Sequence, residues 1–336
     1  MILVTGGLGY IGSHTCVALA QAGYGLVIAD NLCNAKPSVL GRLRELAPAA
    51  AIEFHEIDVR DLAALERVFR AHAIEAVVHF AGLKAVGESV DKPLLYWDNN
   101  VGGTIALLEV MQQQGVRRIV FSSSATVYGE PERLPLGEDH ALHPQSPYGH
   151  TKLAIEQLLT DNSGSEPDFR HASLRYFNPV GAHPSGRLGE DPRGIPNNLF
   201  PYISQDAVGR LARLRVFGND YPTPDGTGVR DYIHVMDLAA GHVAALRHLE
   251  ERKRSFTVNL GTGTGYSVLQ MVQAFERITG KAVPLEIVAR RPGDVATCYA
   301  DPSLAPRELD WRAQLGLDDM CRDAWRRQSQ NPDGYP

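Results

Sequence analysis

Met1-Ile2-Leu3-Val4-Thr5-Gly6-Gly7-Leu8-Gly9-Tyr10-Ile11-Gly12 is the stretch that decides the fold. Ile2 to Val4 is an apolar run that reads as a buried strand and breaks at once into glycines. From Tyr10 a helical period takes over, with Ile11, Thr15, Ala18, Leu19 and Ala22 on one face. Strand, glycine turn and helix together form the context of a dinucleotide fingerprint. Gly6, Gly9 and Gly12 keep the turn tight, let backbone approach a pyrophosphate, and let the helix pack on the strand. The helix N-terminus then offers free N–H groups and a partial positive charge to the phosphates. The spacing is GxxGxxG, and a glycine triplet alone is a weak signal. It gains weight from a second strand, Gly25 to Ala29, ending in Asp30, 18 residues beyond Gly12. An acid there accepts hydrogen bonds from a ribose diol and repels a 2′-phosphate, which favours NAD over NADP.

Beyond Asp30 the alternation continues. Ile52 to Ile57 reads as a strand stopping at Asp58-Val59, and Leu62, Leu65, Val68 and Phe69 form a helical face. Ala76 to Phe80 is a strand, Asn99 to Gln113 a helix, and Arg118 to Phe121 a strand closed by Ser122-Ser123-Ser124. Pro147 to Thr160 reads as a helix with proline near its start, and His171 to Tyr176 as a strand. Such alternation predicts an α/β fold, a Rossmann-like, doubly wound parallel sheet whose ligands sit beyond the strand carboxyl ends. The ends at Asp30, Asp58, Phe80-Ala81-Gly82, Ser122-Ser123-Ser124 and Tyr176-Phe177-Asn178 are expected to line one crevice.

Residues 179–231 are rich in Pro and Gly, with a helix-like segment from Asn197 to Val208, and the chain closes on an amphipathic helix, Leu317 to Gln328. The expected division is a cofactor domain, 1–178, with a return segment near 231–260, and a smaller α/β substrate domain, 179–336. Gly261-Thr262-Gly263-Thr264-Gly265 lacks the Lys-Ser/Thr of a P-loop and reads as a strand-to-helix turn.

Composition narrows the classes. The 336 residues are 44% hydrophobic and 21% charged, ordinary for a globular chain. A net charge of −6 leaves no basic footprint for nucleic acid or an anionic membrane. Cys16, Cys33, Cys298 and Cys321 are widely spaced, which points to a reducing cytoplasm and against a disulfide scaffold. No run approaches the roughly 18 apolar residues of a membrane span. With strand beginning at the first residues, a signal peptide is not expected. The 12 histidines show no metal spacing, and His140 and His143 lie in a proline-flanked loop without clustered partners.

The chemistry is expected at Tyr148 and Lys152. Four residues along a helix rise only ~6 Å, so both side chains share a face. An ammonium near a phenol stabilises phenolate, as does the charge of an oxidised nicotinamide. Bringing a tyrosine from about 10 towards 7 takes roughly 4 kcal/mol of differential stabilisation. Tyr148 then serves as general base for a sugar hydroxyl. Ser124, ending the preceding strand, is placed to hydrogen-bond the same oxygen and relay its proton, whereas Ser122 and Ser123 need do no more than satisfy backbone.

Several blocks carry a family resemblance. Thr5 to His14, Phe80 to Ser89, Ser122 to Gly129, Arg175 to Pro179, Gly186 to Asn198, Phe217 to Pro222, Asp225 to Asp237 and Arg290 to Asp294 resemble the UDP-glucose 4-epimerases, members of the extended short-chain dehydrogenase/reductase class. The resemblance covers essentially the whole chain. It implies reversible C4 epimerisation of UDP-glucose and UDP-galactose, in galactose metabolism. Tyr148 takes the 4-hydroxyl proton, tightly bound NAD takes the C4 hydride, and the 4-keto sugar turns over before the hydride returns. Beyond the glycines, it implies NAD contacts at Tyr10, Ile11, Asp30, Asn31, Leu32, Cys33, Asn34, Ala35, Asp58, Val59, Phe80, Ala81, Gly82, Lys84, Asn99, Tyr148, Lys152 and Phe177. For the UDP-sugar it implies Lys84, Ser124, Tyr148, Asn178, Asn198, Leu199, Phe217, Arg230, Arg291, Asp294 and Cys298. Two arginines suit a diphosphate. Cys298 stands where family members restricted to glucose and galactose typically place a tyrosine, so UDP-GlcNAc and UDP-GalNAc are expected substrates too. A homodimer joined by helices of the cofactor domain is likewise implied. Nucleotide-sugar 4,6-dehydratases share the fold and the Tyr/Lys pair but resemble one another in an Asp-Glu after the strand-end threonine; here Ala125-Thr126 follow Ser124. A non-catalytic NAD-binding scaffold would have no need of Ser124, Tyr148 and Lys152 together.

Overall fold

Ile2–Thr5 forms an interior strand of a parallel sheet, and its neighbours decide where a ligand can sit. The protein is described here from a computed structural model covering residues 1–192, 198–211, 213–291 and 294–335. The first half carries β1 (Ile2–Thr5), β2 (Leu26–Asp30), β3 (Ile52–Glu56), β4 (Ala76–His79), β5 (Arg118–Ser124) and β6 (Arg170–Tyr176). Between them run α1 (Tyr10–Gln21), α2 (Ser38–Leu46), α3 (Leu62–Ala71), α4 (Val86–Asp91), α5 (Pro93–Tyr96), a π-helical turn (Trp97–Gly102), α6 (Gly103–Gln113) and α7 (Pro147–Ser165). The second half adds β7 (Asn178–Val180), β8 (Leu214–Phe217), β9 (Val229–His234), β10 (Phe256–Leu260), β11 (Gly265–Ser267), β12 (Leu285–Val288) and β13 (Thr297–Cys298). Its helices are α8 (Leu199–Ala207), α9 (Val235–Glu251), α10 (Val268–Thr279), α11 (Leu304–Leu309) and α12 (Leu317–Gln330).

Seven parallel strands make the main sheet, in the order β10-β6-β5-β4-β1-β2-β3. The chain leaves β1 in one direction through β2 and β3, then returns to the other side as β4. That reversal opens a crevice beyond the carboxyl ends of β1 and β4. Alternate residues of each strand feed opposite faces. Ile2, Val4, Leu26 and Ile28 pack towards α1, α2 and α9. Leu3, Val27 and Ala29 pack towards α3, α6 and α7. Each buried Leu, Ile or Val contributes about 1.5–3 kcal/mol by leaving water, so the period-two pattern fixes the register.

Elements of the second half form separate small sheets. β9 is flanked by antiparallel β11 and parallel β13 and also pairs with β7, while β8 pairs with β12. Phe200, Ile203, Leu214, Val216, Met271, Phe275 and Met320 form the core beneath them. Within the expected return segment, α9 and β10 rejoin the main sheet, whereas β9 stays in the small one.

Four local expectations need correction. Ser122 to Ser124 lie inside β5, paired with Leu174 to Tyr176, because β6 runs alongside them and satisfies their backbone. α7 continues to Ser165 rather than stopping at Thr160. Asn99 does not begin an α-helix; residues 97–102 form a π-turn before α6. The Gly261–Gly265 stretch leads into β11, not directly into a helix.

Candidate active site

The glycine turn is tight because no side chain fits within it. Gly6 has φ +66°, and a Cβ there would lie 2.8 Å from the Ala81 backbone nitrogen. A Cβ on Gly12 would lie 2.3 Å from the Gly6 carbonyl oxygen. The turn is thereby pressed against the end of β4, bringing Gly6, Gly9 and Ala81-Gly82 to one place. No side chain caps α1 and no acid stands in its first turn. Its N–H groups, with the helix dipole behind them, suit a pyrophosphate. Tyr10 follows the turn and donates its hydroxyl to the Gly181 carbonyl, 2.8 Å away, tying the turn to the second half. Ile11 is half-buried beside it.

Asp30 sits at the end of β2, buried, with Oδ2 accepting from the Leu8 N–H at 3.0 Å and Oδ1 from the Leu32 N–H at 2.9 Å. Burial pushes its carboxyl upward and these two N–H groups oppose the rise. Each oxygen keeps a second lone pair for a ribose hydroxyl. Leu32 has φ +56°, a conformation that the Asp30 bond helps to hold. Asn31 donates to Asp58 at 3.1 Å, and the Arg60 guanidinium holds the Asp58 carboxyl well below the usual range. Cys33 and Asn34 are exposed at this rim, while Ala35 and Val59 are buried beneath it. The Phe80 ring turns inward against His242, at 4.8 Å between centroids, so its backbone, rather than its ring, borders the turn.

The π-turn has a function that helical periodicity does not reveal. Asn100 accepts from the Leu83 N–H at 2.8 Å and from Asn99 at 3.0 Å, and donates to the Leu83 carbonyl at 3.0 Å and Thr151 at 3.1 Å. It fastens the loop of Gly82 to Lys84 to α7, the helix that carries Tyr148 and Lys152. A buried asparagine with all its groups used this way is a positioning residue.

Ser146 caps α7 by accepting from the Gly149 N–H, with Pro147 at the first helical position. Lys152 is buried, and its Nζ donates to the Ser122 carbonyl at 2.7 Å. The ammonium lies 4.9 Å from the Phe121 ring centroid and 5.8 Å from that of Tyr148. Burial pulls the lysine down to about 8, opposed by the Glu156 carboxylate. Ser124 Oγ accepts from both the N–H and the hydroxyl of Thr126, at 3.2 and 3.0 Å. That leaves its own proton free, and the Ser124 hydroxyl is the group that draws the Tyr148 phenol downward. The expectation of a phenol near neutrality is not met by these groups alone. Burial pushes Tyr148 up to about 12 and only Ser124 opposes it. The reason is geometric, since the Lys152 ammonium is spent on the Ser122 carbonyl rather than on the phenol oxygen.

In the second half, Asn178 is exposed at the start of β7 and Phe177 is buried just before it. Lys84 and Asn198 both meet Glu190, at 3.1 and 2.8 Å, so a glutamate absent from the expected set gathers two members of it. Leu199 begins α8 against the second core. Arg291 lies over the Phe217 ring at 4.2 Å and contacts Asp294 at 3.2 Å. Burial pushes the Tyr232 phenol of β9 up to about 12, and the Arg230 and Arg291 guanidiniums oppose the rise. Cys298 is paired in register with Arg230. Residues 193–197 of the Gly186 to Asn198 block, and Pro292 and Gly293 of the Arg290 to Asp294 block, lie outside the described residues. Among the described residues no group of three or more His, Cys, Asp or Glu is placed to hold a metal ion.

A family model described as GDP-mannose 4,6 dehydratase matches residues 3–324. The chain is 59% identical to the UDP-glucose 4-epimerase of Bacillus subtilis (strain 168), over 99% of this chain and 98% of that one. Its fold superposes with a TM-score of 0.96 on the UDP-glucose 4-epimerase of Bifidobacterium longum in complex with NAD+ and UDP, at 50% identity and 99% of each chain. The Stenotrophomonas maltophila UDP-glucose-4-epimerase, with bound NAD and formylated UDP-arabinopyranose, gives 0.95 at 54% identity and 98% of each chain. Likeness at this level over the whole length, on a crevice carrying Ser124, Tyr148 and Lys152, means that the chain belongs to the UDP-glucose 4-epimerase family.

Proposed function

We propose that this protein interconverts UDP-glucose and UDP-galactose at C4 using NAD that stays bound, and that it accepts UDP-GlcNAc and UDP-GalNAc as well. The observation that carries the reading is the meeting of Ser124, Tyr148 and Lys152 beside the glycine turn. The NAD and UDP complexes of the relatives support the ligands. Gly6, Gly9, Gly12, Tyr10 and Ile11 would hold the pyrophosphate of NAD, Asp30 its adenine ribose, and Tyr148, Lys152 and Phe177 its nicotinamide end. Bound NAD supplies a reversible hydride acceptor and, when oxidised, a positive charge beside the phenol. Tyr148 takes the proton of the 4-hydroxyl and later returns it. Ser124, polarised by Thr126, relays it. Lys152, fixed on the Ser122 carbonyl, adds positive potential to the crevice. Arg230 and Arg291 grip the diphosphate, with Phe217 and Asp294 on the uridine side.

Residues 1–178, with the return near 231–260, form the cofactor part in this reading, and 179–336 the UDP-sugar part. For the N-acetylated sugars, support comes from the small Cys298 side chain. It packs against a cluster containing Ala125 and Phe177, which flank Ser124 and Asn178, while Tyr299 lies on the Gly265 side of the strand. A homodimer is supported by an apolar surface on α4, α5, the π-turn and α6, where Val90, Leu94, Trp97 and Ile105 are 61, 82, 40 and 42% exposed. The four free cysteines fit a cytoplasmic enzyme.

The test is turnover of UDP-galactose and UDP-GalNAc side by side, without added NAD, by the protein and by Tyr148→Phe. The reading predicts turnover of both sugars and a loss of roughly 10²–10⁴-fold in the variant, the usual contribution of a general base. Conversion of UDP-galactose alone removes the N-acetyl part. Undiminished turnover by Tyr148→Phe removes the mechanism.

A further inference from the structure

Three consecutive serines of β5 face three successive turns of α7. Ser124 acts on the Tyr148 phenol, the Ser122 carbonyl accepts from Lys152, and the Ser123 hydroxyl donates to Glu156, one turn beyond Lys152. Ser123 and Glu156 are buried. The Glu156 carboxylate is gripped from β6 by Arg175, whose Nη2 lies 2.6 Å from Oε2 and whose Nε lies 2.9 Å from Oε1. Arg175 in turn donates to the Tyr128 hydroxyl at 3.1 Å, and Tyr128 donates to Asn259 of β10 at 2.6 Å. The network therefore joins the catalytic helix to three parallel strands at the height of the reacting groups.

We infer that Glu156, held by Arg175 and Ser123, is a positioning residue that sets the registry of α7 on β5 and supplies the counter-charge for the Lys152 ammonium. This rests on the function proposed above. A buried ion pair is a poor device for stability alone, since apolar side chains of the same volume serve as well or better. Its location argues for a second task. Among the described residues no carboxylate lies within ion-pair distance of Lys152, and Glu156 is the anion acting on it. The other titratable or charged groups around this part of the sheet are His79 of β4 and His171 of β6, both neutral through burial, Tyr96 of α5, Tyr176 and Arg175 of β6, and Tyr128 and Glu138, which act on Arg175, besides Tyr148 itself. Of these only Glu138 is a carboxylate, and it accepts from the Asn259 N–H and acts on Arg175 rather than on Lys152. Registry matters equally, because a slip of α7 along β5 would separate Tyr148 from Ser124.

The experiment compares Glu156→Gln and Ser123→Ala with the unaltered holoenzyme, measuring bound NAD, and kcat and KM for UDP-galactose from neutral to alkaline pH. Glu156→Gln removes the anion, so Lys152 loses its proton more readily and the alkaline limb of kcat moves to lower pH. Ser123→Ala leaves every charge in place. It lowers kcat roughly three- to ten-fold at unchanged KM, the signature of a lost alignment, without moving the limb. If Glu156→Gln does not fold, Ser123→Ala decides alone. Both variants matching the unaltered enzyme in kcat and pH profile, while losing only thermal stability, would overturn the inference and leave the proposed function standing. An unaltered enzyme that does not turn over UDP-galactose would sink both.

Discussion

Lys152 carries a cost that its function explains. A lysine whose folded value falls from 10.5 to about 8 binds fewer protons than the unfolded chain between those limits. Stability from this group therefore rises as pH climbs through that window, and below it the buried charge opposes folding by about 3 kcal/mol. Replacing the ammonium with an apolar chain of similar length relieves that opposition. We expect Lys152→Met to melt at a higher temperature than the unaltered protein at neutral pH and to lose turnover by orders of magnitude. A variant that is both less stable and fully active would contradict the assignment. Tyr148 shows the same tension between burial and charge, since its environment keeps the phenol protonated until positive charge is added nearby. Neither value is legible in the order of residues, because both depend on which partner the ammonium faces.

At the scale of elements, the glycine turn and α1 were legible because sterics allow few alternatives there. Gly12→Ala sets a Cβ against the Gly6 carbonyl at 2.3 Å, so α1 must move off β1. The purified variant is expected to carry little or no NAD, measured by absorbance after denaturation, and to melt lower. Full NAD occupancy would refute the role given to the turn. The strand-helix alternation gave the sheet, and YxxxK gave one face of α7. What stayed hidden were the π-turn, Asn100, Glu156 and Glu190. Residues 97–113 contain nothing that distinguishes an i→i+5 turn from a plain helix, and its cause is tertiary: Asn100 satisfies Leu83 and Thr151 at once. Glu156 reads as an ordinary helical glutamate until Arg175, on a strand distant in sequence, is seen against it.

Over the whole molecule, residues beyond 178 are tied to the first half at many points, among them Tyr10 to Gly181, Lys84 to Glu190, Lys36 to Asp191 and Glu45 to Arg187. Composition showed only that residues 179–231 were loop-rich; which of their residues reach the crevice is set by folding. The chain's outer apolar surface makes its own prediction. Leu94→Glu places a charge at the centre of the proposed dimer face, and light scattering should then report a monomer where the unaltered protein gives a dimer. A monomer in both removes the homodimer. The central claim, a redox cycle closed within one bound cofactor, is tested most directly by isotope. UDP-galactose deuterated at C4 is incubated with the protein without added NAD, and the product is examined for its label. The account predicts UDP-glucose with deuterium retained at C4, whereas deuterium lost to solvent, or no product until NAD is supplied, would contradict it.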